Sequence, residues 1–366
     1  MKIKSLLSNI TLVFTGILLT LFILEFITRV IFDEKIVLFP RYHSEVQYGD
    51  FHIRRIRPNS VFWHTSQDGQ WKFVTNSQGF RNTTDFNYAK PDTLVRIICL
   101  GDSHTEGFEV RQDHTFSSVL EKELRSLGKP TEVYNMGVSG YGTDEELILF
   151  ENEAVKYKPD YIVVGFFAND YEDNLKTGLF SLEDSNLINV RKENLPGVKI
   201  LEFINQFYLI RKLSEHSYLY SFCFNSVWDF IKAARVEKAK EGARALDTTH
   251  SYAIAVNRTR TQKELQLTTK LLERLFNSAR EHGVRIIFVD IPQDDLENSL
   301  DRSMGPFVES NVDVYITGSK LVEPFKLHID THAPHGHRHI SEFTHMVIGL
   351  EIAKAINRDL KMSSIK

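Results

Sequence analysis

The sequence predicts an α/β fold in which a parallel sheet is covered by helices on both faces. Two observations carry this: short apolar, β-branched runs recur along the chain, and helical stretches separate them. Leu94–Leu100 is the first such strand and ends at Gly101; the helical stretch Thr115–Leu127 follows, and Gly128 terminates it. Glu132–Asn135 is the second strand, before a glycine-rich loop, and Glu145–Tyr157 the next helix. Tyr161–Gly165 is a third strand. Arg285–Asp290 is a fourth, preceded by a long helix from about Thr261 to His282, and a helix from about Ser341 to Ile356 closes the unit. Between Asn174 and Thr259 the pattern changes. Leu201–Leu213 and Tyr218–Ala234 have helical apolar spacing and Glu237–Arg244 is a charged helix-like run, so a helical insertion over about 175–259 is expected, as a cap over the site or as a packing elaboration.

Two segments precede this body. Ser5–Leu24 is twenty residues without a charge, and apolar residues continue through Phe32. About 20 helical residues cross a bilayer's hydrocarbon core. No small-residue cleavage site follows, so residues 1–34 are expected to be an uncleaved, single-pass membrane anchor. Glu25 and Arg29, four apart, can pair on one face near the bilayer edge. Basic residues on the two sides give no orientation, and the chemistry below suits an extracytoplasmic body. Residues 35–93 form an aromatic-rich extension, with Phe51, Phe62, Trp63, Trp71 and Phe73 among polar residues, expected as short strands packed on the domain at 94–360.

Composition narrows the partners. With 366 residues, 42% hydrophobic and 25% charged, the chain is neither disordered nor collagen-like, and one elaborated domain fits its length. Forty-four basic against forty-eight acidic residues give a net charge of −4 without a basic block, so nucleic acid is not an expected partner. Cys99 and Cys223 make no disulfide framework.

Chemistry gathers in four places. Gly101-Asp102-Ser103 stands at the carboxyl end of a strand, where open α/β sheets bind ligands. Ser103 can be a nucleophile near a helix start, or an ordinary N-cap. Asn135-Met-Gly-Val-Ser-Gly140 and Ala168-Asn169-Asp170 follow the next two strands and offer backbone and amide donors. Ser139 does not sit in a G-x-S-x-G elbow, because Tyr141 holds the last position. Near the end of the chain runs Asp330-Thr-His332-Ala-Pro-His335-Gly-His337-Arg-His339. A histidine oriented by a carboxylate supplies the base of a serine hydrolase. The six histidines between His328 and His345 invite a metal reading, but no cysteine and few carboxylates join them, so no metal and no cofactor is expected.

Together, Gly101-Asp102-Ser103, Asn135-Met-Gly137 with Gly140, Asn169-Asp170, and a histidine before the closing helix resemble the sequence blocks of the SGNH, or GDSL-type, hydrolases over roughly Arg96 to Ile356. The resemblance implies a flavodoxin-like three-layer α/β/α fold and a serine ester hydrolase working through an acyl-enzyme. It implies Ser103 as nucleophile, and an oxyanion hole of the Ser103 and Gly140 backbone N–H groups with the Asn169 side chain. His339, with Ser341 two positions on and the helix beyond, matches the family's base; His332 is the alternative, and Asp330 is the expected orienting acid. The membrane span and the predicted helical cap, rather than the resemblance, motivate the expected substrate: a small-molecule or glycan ester, such as an acylated surface glycan, or a lipid-like ester, outside the cell. An O-acyltransferase of surface polysaccharide using the same site, and an inactive membrane-tethered glycan-binding protein, are the alternatives.

Overall fold

A computed structural model describes residues 2–227, 230, 259–335 and 337–363. The charged run Glu237–Arg244 and the end of the expected helix Tyr218–Ala234 lie outside the described residues.

The chain opens with α1 (Lys2–Phe32), of which the 27 residues Leu6–Phe32 are long and apolar enough to cross a membrane; residues 6–24 are exposed, while Thr28 is buried. The extension then folds as two antiparallel hairpins, β1 (His43–Tyr48) with β2 (Phe51–Ile56) and β3 (Val61–Ser66) with β4 (Gly69–Val74). Their apolar side chains meet in a small cluster of Tyr42, Ile56, Phe62 and Phe73.

The body is built on β5 (Val95–Gly101), α2 (Ser103–Glu106), α3 (Phe116–Ser126), β6 (Thr131–Asn135), α4 (Thr143–Asn152), β7 (Tyr161–Phe166) and α5 (Asp170–Thr177). The segment that follows begins with strands, not helix: β8 (Phe180–Glu183) and β9 (Asn186–Asn189) form a hairpin, and β10 (Glu193–Asn194) runs parallel to β2. Asp184 and Ser185, both at positive φ, make the tight turn of that hairpin. The expected helix Leu201–Leu213 is two, α6 (Val198–Ile204) and α7 (Tyr208–His216), and residues 218–227 are helical again. The chain returns through α8 (Gln262–Glu281), β11 (Arg285–Asp290), α9 (Gly305–Asn311), β12 (Val314–Thr317), α10 (Gly318–Val322) and α11 (Glu342–Ser363). Thr115 and Thr261 cap α3 and α8, the latter in a capping box with Glu264.

All five central strands are parallel, in the order β6-β5-β7-β11-β12. In order of appearance this is 2-1-3-4-5, the flavodoxin-like arrangement expected, and it includes a fifth strand, β12, that the short apolar pattern of Val314–Thr317 did not announce. Strand side chains alternate between two cores. Ile97, Cys99 and Val163 face α3 and α11 through Phe116, Leu120, Ile348 and Ile352. Ile98, Leu100, Ile162 and Val164 face α4 and α8 through Leu147, Leu271 and Phe276. Both faces being covered is why these strands read as unbroken apolar runs. Ile162 is fully buried in the central strand. Ile162→Ala should therefore cost about 2–5 kcal/mol, seen as a lowered urea midpoint with an unchanged slope.

Candidate active site

Three strands, β6, β5 and β7, end side by side, and their carboxyl-end loops carry the first three motif blocks. Gly101 closes β5 at φ +153°, and a Cβ there would lie 2.1 Å from Thr105 Oγ1 and 2.8 Å from the Gly165 carbonyl. The chain can therefore turn at once into α2. Asp102 caps that helix, its Oδ1 accepting the His104 N–H at 2.8 Å. Burial pushes the Asp102 carboxyl up to about 6, against the pull of that hydrogen bond and of His339. Ser103 is the first residue of α2 and is only 6% exposed.

The second loop is tied beneath α2. Asn135 Nδ2 donates to the Thr105 carbonyl at 2.9 Å, and its Oδ1 accepts the Gly137 N–H at 3.0 Å. A Cβ on Gly137 would meet the Glu106 amide at 2.4 Å, so only glycine passes there. Gly140 adopts φ +79°, and its carbonyl accepts from the Arg54 guanidinium of β2. Asn169, at the end of the third loop, is buried, and its Nδ2 donates to Asp173 Oδ2 at 3.1 Å.

The fourth block reaches the same place from the far end of the chain. His339 Nε2 lies 2.8 Å from Ser103 Oγ, and the ring is 2% exposed between Phe108 and His104, with centroids 4.6 and 4.7 Å away. His104 is held well below its ordinary pKa, first by burial and then by the neighbouring histidines, so it packs as a neutral ring. Its Nδ1 accepts the Ile340 N–H at 3.5 Å.

His332 and Asp330 stand elsewhere. His332 Nε2 meets the Pro292 carbonyl at 3.1 Å and its Nδ1 the Thr331 hydroxyl at 3.1 Å, while its backbone bridges Ile340. Asp330 is exposed on the surface, its carbonyl accepting the Ser341 hydroxyl at 2.6 Å. The carboxylate beside His339 belongs to Glu109, whose Oε2 is 3.5 Å from Nδ1. That is ion-pair range, looser than a hydrogen bond, as apo sites often are. Glu109 is 4% exposed and sits at φ +60°, a conformation non-glycine residues adopt only where the surroundings enforce it. Arg81, a buried residue of the extension, supports it here: its guanidinium donates to the carbonyls of Glu106, Gly107 and Val110, bracketing the turn. Sequence reasoning missed both residues. The only sign of them was a buried-type charge within six positions of Ser103 and an isolated arginine after a turn.

The other histidines diverge. His335 pairs with Asp68 of the β3–β4 turn, its N–H at 2.9 Å and its Nδ1 at 2.7 Å, and His337 stacks on Phe108 at 5.5 Å. Among the described residues no three His, Cys, Asp or Glu side chains form a group that could hold a metal ion.

Below the site, Glu106 accepts the Ser139 N–H at 2.9 Å and the Ser139 hydroxyl, and burial pushes its carboxyl from 4.5 up to about 7. A carboxyl raised in the folded state binds its proton more tightly there than in the unfolded chain, so its contribution is fullest at low pH and is lost as pH rises from about 4.5 to about 7. Relative to Glu106→Gln, the wild-type melting temperature should fall over that window and level off above it, in thermal melts across pH.

The model of the GDSL-like Lipase/Acylhydrolase family matches residues 99–309, more than half of the chain. No curated protein matches the sequence. Solved structures with low sequence identity cover similar portions. A two-domain esterase active on acetylated mannans is 10% identical, with a TM-score of 0.41 over 72% of this chain, which spans about half (49%) of that esterase. An acetylxylan esterase from Geobacillus stearothermophilus is 12% identical, with a TM-score of 0.39 over 72% of this chain and 94% of its own. The esterase EstA from Pseudoalteromonas sp. is 11% identical, with a TM-score of 0.38 over 73% of this chain and 98% of its own. By the family match, on a chain whose parallel sheet carries the motif blocks at its carboxyl ends, this protein belongs to the GDSL-like Lipase/Acylhydrolase family and is an ester hydrolase.

Proposed function

We propose that Ser103, His339 and Glu109 act together as a nucleophile, base and orienting acid on acyl esters of an extracytoplasmic glycan or lipid-like molecule. The observation that carries this reading is the 2.8 Å contact between Ser103 Oγ and His339 Nε2. In the proposed cycle His339 takes the Ser103 proton as Oγ adds to the ester carbonyl. Negative charge then develops on the carbonyl oxygen, where the Ser103 and Gly140 N–H groups and the Asn169 amide would receive it, each such donor being worth about 3 kcal/mol in related chemistry. His339 passes its proton to the departing alcohol oxygen, leaving the acyl group on Ser103. Water, deprotonated by the same ring, releases the acid and restores the serine.

Glu109 takes the role first expected of Asp330. What supports the exchange is position: Glu109 is buried at Nδ1 of the base, and Asp330 is a surface residue. A buried carboxylate there holds the ring in one tautomer and stabilises the imidazolium that forms. The glycan or lipid-like substrate is motivated by the apolar helix α1, which we read as a single-pass anchor with the enzyme body outside.

A fluorophosphonate probe on the full chain tests the nucleophile. Label should map to Ser103, and Ser103→Ala should lose both label and turnover of short-chain p-nitrophenyl and acetylated-glycan esters; retained turnover would end the assignment. Glu109→Gln should lower kcat about a hundredfold or more, while Asp330→Asn should stay within about twofold. The reverse pattern restores Asp330. His339→Ala should be inactive and His332→Ala should lose stability before activity, read by kcat beside the melting temperature.

A further inference from the structure

The catalytic residues occupy one end of the sheet and leave unexplained the segment 198–227. On α6 the residues Val198 and Leu201 are buried, but Ile200 and Phe203 on α6, Phe207 between the helices, Tyr208 and Leu209 on α7, and Phe222 beyond it are exposed, with Phe203, Tyr208 and Leu209 each at least 60% accessible. Large apolar side chains concentrated over so short a stretch are a contact surface, not scattered exposure. Lys199, Arg211 and Lys212 stand among them, and the Arg211 and Lys212 cations lie 5.9 and 6.0 Å from the Tyr208 ring.

The end of this segment is fastened to α1. The Ser217 hydroxyl and the Tyr218 and Leu219 N–H groups donate to the Glu25 carboxylate at 2.6, 2.9 and 3.0 Å. Arg29 lies over the Tyr218 ring at 4.9 Å, and Phe222 packs on Phe32 at 5.0 Å. If Ser5–Leu24 fills a hydrocarbon layer, which takes about 20 residues, Glu25 is the first residue beyond it. Residues 217–222 are thereby held at that depth, with α7 immediately before them.

We propose that the exposed face of α6 and α7 docks on the lipid bilayer, lying in the boundary between headgroups and acyl chains beside the point where α1 leaves it. The proposal rests on reading α1 as a span. The occupant is lipid because the face is continuous with α1, whose uncharged residues 6–24 are all exposed, and because its composition is that of an interfacial helix. Phenylalanine, tyrosine and leucine enter the boundary, while lysine and arginine remain with the phosphates. The enzyme is then held by two contacts of different kinds, which fixes its tilt as well as its distance from the membrane.

The test uses the full chain with Cys223→Ser, in vesicles of phosphatidylcholine and phosphatidylglycerol. The remaining thiol, Cys99, is buried. The environment-sensitive dye NBD is placed at Leu209→Cys or, separately, at Ile17→Cys, and doxyl lipids supply shallow or deep quenchers. The expected result is a blue shift at both sites, with Leu209→Cys quenched most by the shallow lipid and Ile17→Cys by the deep one. Deep quenching at Ile17→Cys with an unshifted, unquenched dye at Leu209→Cys overturns the docking and leaves the span intact. A blue shift at Leu209→Cys without lipid quenching means that protein covers the face, and also overturns it. Failure of quenching at Ile17→Cys removes the span and the proposal with it.

Discussion

Everything at the site depends on how closely α2 lies on the strand ends beneath it. Thr105 Oγ1 comes within 2.1 Å of where a side chain would begin on Gly101 and within 2.4 Å for Gly165, and the Glu106 amide does the same over Gly137. Two strands and the loop after a third thus yield their side chains at the points where the helix crosses them. One methyl group at any of these positions would lift α2, and with it Ser103, by an amount large compared with the tolerance of a reacting hydroxyl. The proposed nucleophile stands on backbone that touches backbone.

Against this fixed floor the proposed base comes from a loop closed on itself by backbone bonds from Ala333 to His339 and from Ser341 to Thr331. Residues 331–341 are held by pieces borrowed from elsewhere: His332 on the Pro292 carbonyl, His335 on Asp68, and Glu342, the next residue along, on Arg111. Two of the histidines that suggested a metal, His332 and His335, are therefore fastenings of the loop that presents His339.

How much of this the sequence disclosed varies with the range of the forces involved. Four of the five strands and the helices between them follow from local periodicity, because Ile97–Leu100 and Tyr161–Val164 are buried on both faces and show it residue by residue. Of the proposed site residues, Ser103, Gly140 and Asn169 were suggested by motif blocks at strand ends that resemble the family's, and His339 by its distance from the closing helix. Glu109 was not. Its nearness to His339 arises from a turn that Arg81 braces across 25 or more positions, and nothing within the local sequence encodes that. The β8–β9 hairpin was lost for a smaller reason: Asp184-Ser185 makes its turn without glycine, and the apolar spacing nearby suits helix equally well.

The extension, finally, bears on where the enzyme can be cut. Arg81 braces the turn of Glu109, Asp68 holds the loop of His339, and Arg54 meets the carbonyl of Gly140; all three precede the first strand of the parallel sheet. The segment matched by the family stops at residue 309, thirty positions before His339. A fragment trimmed to that matched segment would keep Ser103 and lose His339, and one trimmed at residue 94 would keep both but lose Arg54, Asp68 and Arg81. The unit that holds these loops together is therefore larger than the matched segment, and it reaches back through the two hairpins towards the apolar helix α1.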